Sequence, residues 1–147
     1  MSTRTIVYWG ATTGIGLETL VGGVTDLAHG RELLLVGRPV ADVVTGLGYP
    51  VYVLTLLGVV KIPGALVVLL PGWLRLKEWA YAGIVFELLG AAASNVVQGP
   101  HLGDAATILV LAGLALLSWA LRPPNRILGG HLRDREPVRA PTRTGVP

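Results

Sequence analysis

The sequence predicts an all-α integral membrane protein, a four-helix bundle that spans the membrane and has both termini in the cytoplasm. Only 14% of its 147 residues are charged and 52% are hydrophobic, whereas a soluble domain carries about a quarter charged residues. Four apolar stretches have the length of a membrane span. Lys and Arg are distributed unevenly between the connecting segments, and this asymmetry predicts the orientation.

The four predicted transmembrane helices lie at about 5–28, 50–70, 78–97 and 105–121. A bilayer core about 30 Å thick requires roughly 20 helical residues, and each stretch meets that length. Between the first two stretches, residues 39–45 predict a short interfacial helix with Pro39 near its start. Residues 123–147 are rich in Pro and Arg, so they predict a disordered basic tail. The transmembrane domain is therefore expected within residues 1–122.

The positive charges place both termini on one side of the membrane. With four spans, the N-terminus, the second loop and the C-terminus share a side, which holds Arg4, Arg75, Lys77, Arg122, Arg126 and the arginines of the tail. The other side holds only Arg31 and Arg38. An excess of Lys and Arg marks the cytoplasmic side. This topology accounts for the net charge of +3, and we expect no nucleic-acid partner.

The glycines near the N-terminus have two interpretations. Gly10, Gly14 and Gly16 have the spacing of a dinucleotide-binding loop, but that motif requires a preceding strand and a parallel sheet. Apolar spans follow instead, so we expect no nucleotide. Gly10, Gly14, Glu18, Gly22 and Asp26 recur at every fourth residue. This stripe predicts the packing face of the first helix.

Three ionisable residues lie near the middle of predicted spans: Glu18, Lys61 and Glu87. A charge at the bilayer centre costs at least about 2.5 to 3.5 kcal/mol, so such residues pair with one another or serve a function. We therefore predict one polar cluster near the midplane, in which one carboxyl group is protonated or linked to water. The cluster is either an ion pair that fixes helix register or an acid–base or ligand site.

Three further residues are weaker candidates for ligand binding. Asp26 is expected at the outer end of the first helix, as an interfacial residue at the mouth of a site. Ser94 and Asn95 lie in the third predicted span, beyond Glu87. The chain has no cysteine, and its three histidines are far apart in sequence. We therefore predict no metal site and no cofactor.

Several segments resemble the DoxX-like family of small bacterial membrane proteins over about residues 5–122. They are Tyr8-Trp9 with Thr13-Gly14, residues 22–27, Leu47-Gly-Tyr-Pro50, Leu57-Gly-Val-Val-Lys61, and residues 71–94 with the run Leu-Lys-Glu-Trp-Ala-Tyr-Ala-Gly83. The resemblance implies a four-helix bundle in the bacterial inner membrane, with Lys61 and Glu87 as family-type polar positions. Relatives are associated with quinone-linked sulfur redox chemistry or membrane redox complexes. This chain departs from the family pattern at Asn95, where many relatives have His, and at Pro63.

Three functional hypotheses follow. The first is a membrane subunit or binding protein for a small lipophilic molecule such as a quinone. The second is an intramembrane acid–base enzyme that acts on an apolar substrate, such as an isomerase, a cyclase or an epoxide-opening enzyme. The third is a non-catalytic assembly protein or chaperone that packs on a partner membrane protein or a second copy of itself. In each of them the lipid bilayer surrounds the helices.

Overall fold

A computed structural model describes residues 2–29, 39–98 and 102–127. Within these ranges the protein contains five α-helices and no strand, which confirms the predicted all-α class. The helices are α1 (Thr3–Leu27), α2 (Val40–Gly46), α3 (Tyr52–Leu69), α4 (Leu74–Gln98) and α5 (Leu102–Ala120). A short 3-10 helix follows at Pro124–Arg126.

Among the described residues, three helical segments are long and apolar enough to cross a membrane: Tyr52–Leu69, Leu74–Gln98 and Gly103–Ala120. This finding supports the predicted transmembrane character. Helix α1 has 25 residues, yet it is not one of the three. Its apolar residues are interrupted by glycines, threonines and the charged residues Arg4, Glu18 and Asp26.

The ends of the four long helices differ from the predicted ones by one to four residues, and the largest difference is at the start of α4. Helix α4 begins at Leu74, four residues before the predicted start, directly after a turn in which Gly72 and Trp73 have positive φ angles of 83° and 47°. Within the predicted tail, residues 123–127 are described, and the side chain of Arg126 is buried. Residues 128–147 lie outside the described residues. Helix α2 starts directly after Pro39, as predicted.

The four long helices pack in a closed order: α1 contacts α3 and α5, and α4 also contacts α3 and α5. A close backbone approach joins α1 to α3. A Cβ placed at Gly58 would lie 2.7 Å from the Gly23 carbonyl oxygen and 2.9 Å from the Leu27 nitrogen. Only glycine fits at such a crossing, because the clashing atoms belong to backbone.

The packing face of α1 differs from the predicted stripe. The tightly packed glycines are Gly16, which faces Leu69, and Gly23, which faces Lys61 and Ile62. The space beside Gly10 is open, and Gly14 has only an ordinary contact with Leu114. The prediction used a four-residue spacing, whereas a helix has 3.6 residues per turn, so the buried face shifts along the stripe.

The apolar core lies between two polar regions. Its buried members come from all four long helices: Ile15, Val68, Tyr81, Ile84 and Ala115. Along α3, Val68 separates Lys61 from the C-terminal end of the helix. Along α4, Ile84 lies between Tyr81 and Glu87.

Candidate functional site: an acid-rich cluster

Lys61 links three helices through its ammonium group. Its Nζ donates to Oδ2 of Asp26 on α1 at 2.8 Å, and lies 2.8 Å from Oε1 of Glu87 on α4. The Asp26 side chain is only 5% exposed, whereas Lys61 and Glu87 are 17% and 24% exposed. We call Asp26, Lys61, Glu87 and the nearby Glu18 the acid-rich cluster. The structure thus brings Lys61 and Glu87 together as predicted.

Asp26 occupies the position that the sequence analysis assigned to Glu18. Asp26 lies one residue before the C-terminal end of α1, the end at which it was expected, but it is also buried and contacts Lys61, which was not expected. The reason is the register of α1 against α3, in which Gly16 faces Leu69, Gly23 faces Ile62 and Leu27 lies beside Gly58.

This register places Val24 at the level of Lys61. Asp26 is two residues from that level and Glu18 is six residues from it, which correspond to about 3 Å and about 9 Å of helical rise. The available sequence signal was the seven-residue repeat of Thr12, Thr19 and Asp26, all of which are buried. Polar side chains at that spacing share one helix face.

Glu18 lies beside the ion pairs without joining them. Its Oε1 and the Nζ of Lys61 are both within 4.0 Å of the point where a Gly22 Cβ would stand. No described cation lies within ion-pair distance of the Glu18 carboxylate. Its hydrogen bond is a long one, from the Thr19 hydroxyl at 3.4 Å. The cluster therefore contains three carboxyl groups and one ammonium group.

Open space adjoins the Lys61–Glu87 pair. Gly64 is three residues after Lys61, and Gly83 and Gly90 flank Glu87 at helical spacing. Nothing lies within 4 Å of a Cβ built at any of the three. These three glycines therefore do not pack closely against another described helix. They leave room on the outer surface of α3 and α4, next to a partly exposed ion pair.

The two weaker candidates on α4 do not contact the acid-rich cluster. The Ser94 hydroxyl donates to the Gly90 carbonyl at 2.9 Å and lies 2.8 Å from the Tyr49 hydroxyl. Ser94 lines a cavity of about 230 Å³ together with Leu47, Tyr49, Ala93, Val97 and Gln98. Asn95 is buried and donates to the Ala91 carbonyl at 2.9 Å.

The opposite end of the molecule is rich in buried cations. Lys77, Arg122 and Arg126 are 1%, 2% and 7% exposed. Glu78 lies 2.7 Å from Nη2 of Arg122, and it is the carboxylate in the described ion pairs of this region. We call Lys77, Glu78, Arg122 and Arg126 the base-rich end. From the sequence alone, Lys77, Arg122 and Arg126 are predicted only to orient the protein in the membrane.

A buried hydrogen-bond network adjoins the base-rich end. The Ser118 hydroxyl lies 2.7 Å from both the Thr12 hydroxyl and the Tyr81 hydroxyl. The Tyr8 hydroxyl accepts from Arg126 at 3.2 Å. Both tyrosines are almost fully buried, although they are aromatic residues near helix ends.

A comparison with models of protein families identifies the family of this chain. The model of the DoxX-like family matches residues 11–121. The chain belongs to the DoxX-like family. The match includes all of the acid-rich cluster and, of the base-rich end, Lys77 and Glu78. No curated protein and no solved structure matches the chain.

For this DoxX-like protein, the described residues contain no group of three or more His, Cys, Asp or Glu side chains that could hold a metal ion. The acid-rich cluster presents carboxylate groups and one ammonium group that can form hydrogen bonds. A lysine ammonium group has three N–H donors and no acceptor. The contacts with Asp26 and Glu87 occupy two of the three.

Proposed function

We propose that this DoxX-like protein is a four-helix bundle of the bacterial inner membrane whose acid-rich cluster binds the polar head of a small lipophilic molecule. The observation that carries the proposal is the third N–H of Lys61, which is available to a carbonyl oxygen beside the partly exposed Lys61–Glu87 pair. A quinone is the ligand class, since it combines carbonyl acceptors with an apolar body. The resemblance noted in the sequence also implies a quinone, since it is to relatives associated with quinone-linked redox chemistry.

The proposed route to the site runs through the lipid-facing surface. The open glycines beside Lys61 and Glu87 lie on α3 and α4, two helices that are apolar enough to span a membrane. A molecule dissolved in the bilayer reaches this surface without crossing water. In the proposed topology, α1 is the fourth span and both termini are cytoplasmic, because the basic residues of both termini and of the first turn of α4 then lie on the cytoplasmic side.

Binding of a decyl-substituted benzoquinone to the purified protein in mild detergent tests this proposal. We expect Gly83→Leu to weaken binding about tenfold or more, because the new side chain fills the open space beside Glu87. Gly113→Leu is the matched control, since Gly113 also has open space around it but lies on α5. Equal affinities in the wild type and both variants, or no binding by the wild type, would contradict the proposal.

A charge variant tests the polar contact separately. We expect Glu87→Gln to change the affinity for the benzoquinone, because it removes one of the two carboxylates that hold the Lys61 ammonium group in place. Asp42→Asn is the control, since Asp42 is an exposed carboxylate on α2 outside the cluster. An unchanged affinity for both variants would exclude the cluster as the binding site.

A second candidate function, an intramembrane acid–base enzyme, is favoured by Glu18. A carboxyl group beside Lys61 with no described cation within ion-pair distance is suited to take up and release a proton, as a general acid or base does. If this is the function, Glu18→Gln abolishes the cellular phenotype of the gene while the protein stays folded and still binds the benzoquinone. A fully active Glu18→Gln variant would exclude it.

A further inference from the structure

The base-rich end contains more positive charge than its described protein partners neutralise. It has three buried cations and one carboxylate, and the Glu78 side chain is 35% exposed. Arginine stays protonated in proteins, so the two guanidinium groups cannot remove their charge by losing a proton. Burial of an unpaired charge is unfavourable. The surplus must therefore be compensated by other groups.

Lys77 is satisfied by backbone. Its ammonium group donates to the carbonyls of Val67, Val68 and Leu70, which lie at the C-terminal end of α3. These carbonyls have no partner within their own helix and carry the negative end of its dipole. Lys77 therefore acts as a cap for α3 and is not available to an external ligand.

The two arginines are less completely satisfied. Arg126 donates to the Tyr8 hydroxyl at 3.2 Å and to the Val68 carbonyl at 3.5 Å, and its guanidinium group lies 4.6 Å from the centre of the Trp9 ring. No described carboxylate lies within ion-pair distance of Arg126. Nη1 of Arg122 is buried without a hydrogen-bond partner, the single such side-chain atom in the described ranges.

We propose that the base-rich end binds a phosphate-type oxyanion through Arg126 and Arg122. Guanidinium groups match the geometry of phosphate oxygens, and one bound anion would supply the missing negative charge. Basic sites between transmembrane helices on the cytoplasmic side bind anionic lipid headgroups. The phosphate comes either from such a headgroup or from the cytoplasm. Because Val68 accepts from both Lys77 and Arg126, the anion also stabilises the junction between α3, α4 and the segment after α5.

The test is the thermal stability of the full chain in neutral detergent. One arm compares sodium phosphate with sodium chloride at equal ionic strength, and the other compares added phosphatidylglycerol with phosphatidylcholine. We expect phosphatidylglycerol or phosphate to raise the Tm by at least about 3 °C. A rise with phosphatidylglycerol alone identifies a lipid headgroup as the source, and a rise with phosphate alone identifies the free ion. No rise in either arm overturns the proposal.

Arg126→Gln and Arg4→Gln form the matched pair of variants. Both remove one positive charge, but Arg4 is exposed in the first turn of α1, outside the base-rich end. We expect Arg126→Gln to lose the Tm rise and Arg4→Gln to keep it. A rise of equal size in both variants contradicts the assignment of the site.

If Arg126→Gln does not fold, native mass spectrometry of the wild type provides the second test. We expect the protein to retain phosphatidylglycerol in preference to phosphatidylcholine when both are present in equal amounts, or to retain phosphate if the Tm responded to phosphate alone. Equal retention of the two lipids together with no phosphate adduct overturns the proposal.

Discussion

At the acid-rich cluster one ammonium group faces three carboxyl groups, whereas at the base-rich end one carboxylate faces three cations. The two regions share helix α4 and are separated by the core of Ile15, Val68 and Ile84. They differ in how their surplus charge can be removed. A carboxyl group becomes neutral when it takes up a proton, but an arginine does not lose its proton in a protein.

This difference explains why the charged side chains of the two regions interact with different kinds of group within the protein. The acid-rich cluster is held by direct ion pairs of 2.8 Å, and its surplus resides in Glu18 at the edge. The base-rich end distributes its surplus over backbone carbonyls, hydroxyl groups and the rings of Trp9, Tyr81 and Trp119. Chemistry that moves a proton is therefore suited to the first region, and anion binding is suited to the second.

The largest expected effect is that of Lys61→Met. The substitution leaves the carboxyl groups of Asp26 and Glu87 without their shared cation, and removal of one partner from a buried pair costs about 3 kcal/mol or more. The free energy of unfolding, measured by SDS titration in mixed micelles, reports the loss. A triple variant that adds Asp26→Asn and Glu87→Gln should recover part of it. A single variant as stable as the wild type would show that the ion pairs do not hold the helices.

The next largest effect concerns the helix crossing beside the acid-rich cluster. We expect Gly58→Ala to cost about 2 kcal/mol, because its methyl group would overlap backbone atoms of α1. Gly64→Ala on the same helix is the control, and it should be neutral or slightly stabilising, since its site is open and alanine favours helix. Similar free energies of unfolding for the two variants would mean that α1 and α3 do not approach as closely as described.

A third, smaller effect on the free energy of unfolding is expected when one carboxylate is removed from either charged region. Glu78→Gln removes the carboxylate that pairs with Arg122, and we expect a loss of about 1 kcal/mol, reduced from that of a fully buried pair by the exposure of Glu78. Glu87→Gln should cost less, under about 0.5 kcal/mol, because Asp26 still pairs with Lys61 and the negative surplus falls. If Glu87→Gln loses more free energy of unfolding than Glu78→Gln in the same titration, the charge difference between the two regions does not control their stability.

The smallest effect is expected for Tyr81→Phe. The ring that contacts Arg122 is kept, and Ser118 retains the Thr12 hydroxyl as a partner. We expect a loss of about 0.5 kcal/mol in the free energy of unfolding, at the lower end of the range for one hydrogen bond. A loss several times larger would show that the hydroxyl network holds the base-rich end together more strongly than its local contacts suggest.

Much of this architecture was predictable because it is local. Apolar runs of about 17 residues or more predicted α3, α4 and α5, and the motifs that resemble the DoxX-like family agree with its match to residues 11–121. The rule that a charge in an apolar span needs a partner predicted the contact between Lys61 and Glu87. The start of α4 was not predicted, because residues 75–78 are mostly charged and the residues before 78 were expected in a loop. Lys77 and Glu78 can lie in the helix because they contact other segments, which the sequence does not show.

The sequence alone determined that helices form and that their ionisable residues must find partners, since both follow from composition and from the period of a single helix. The tertiary structure decided which partners meet. The contact of Gly23 with Gly58 sets the register between α1 and α3, and this register gives Lys61 the carboxylate of Asp26 in place of Glu18. The surplus of cations at the base-rich end also arises only when α3, α4 and the segment after α5 converge. Neither result is encoded in the periodicity of one helix, because each depends on the relative positions of two or more helices.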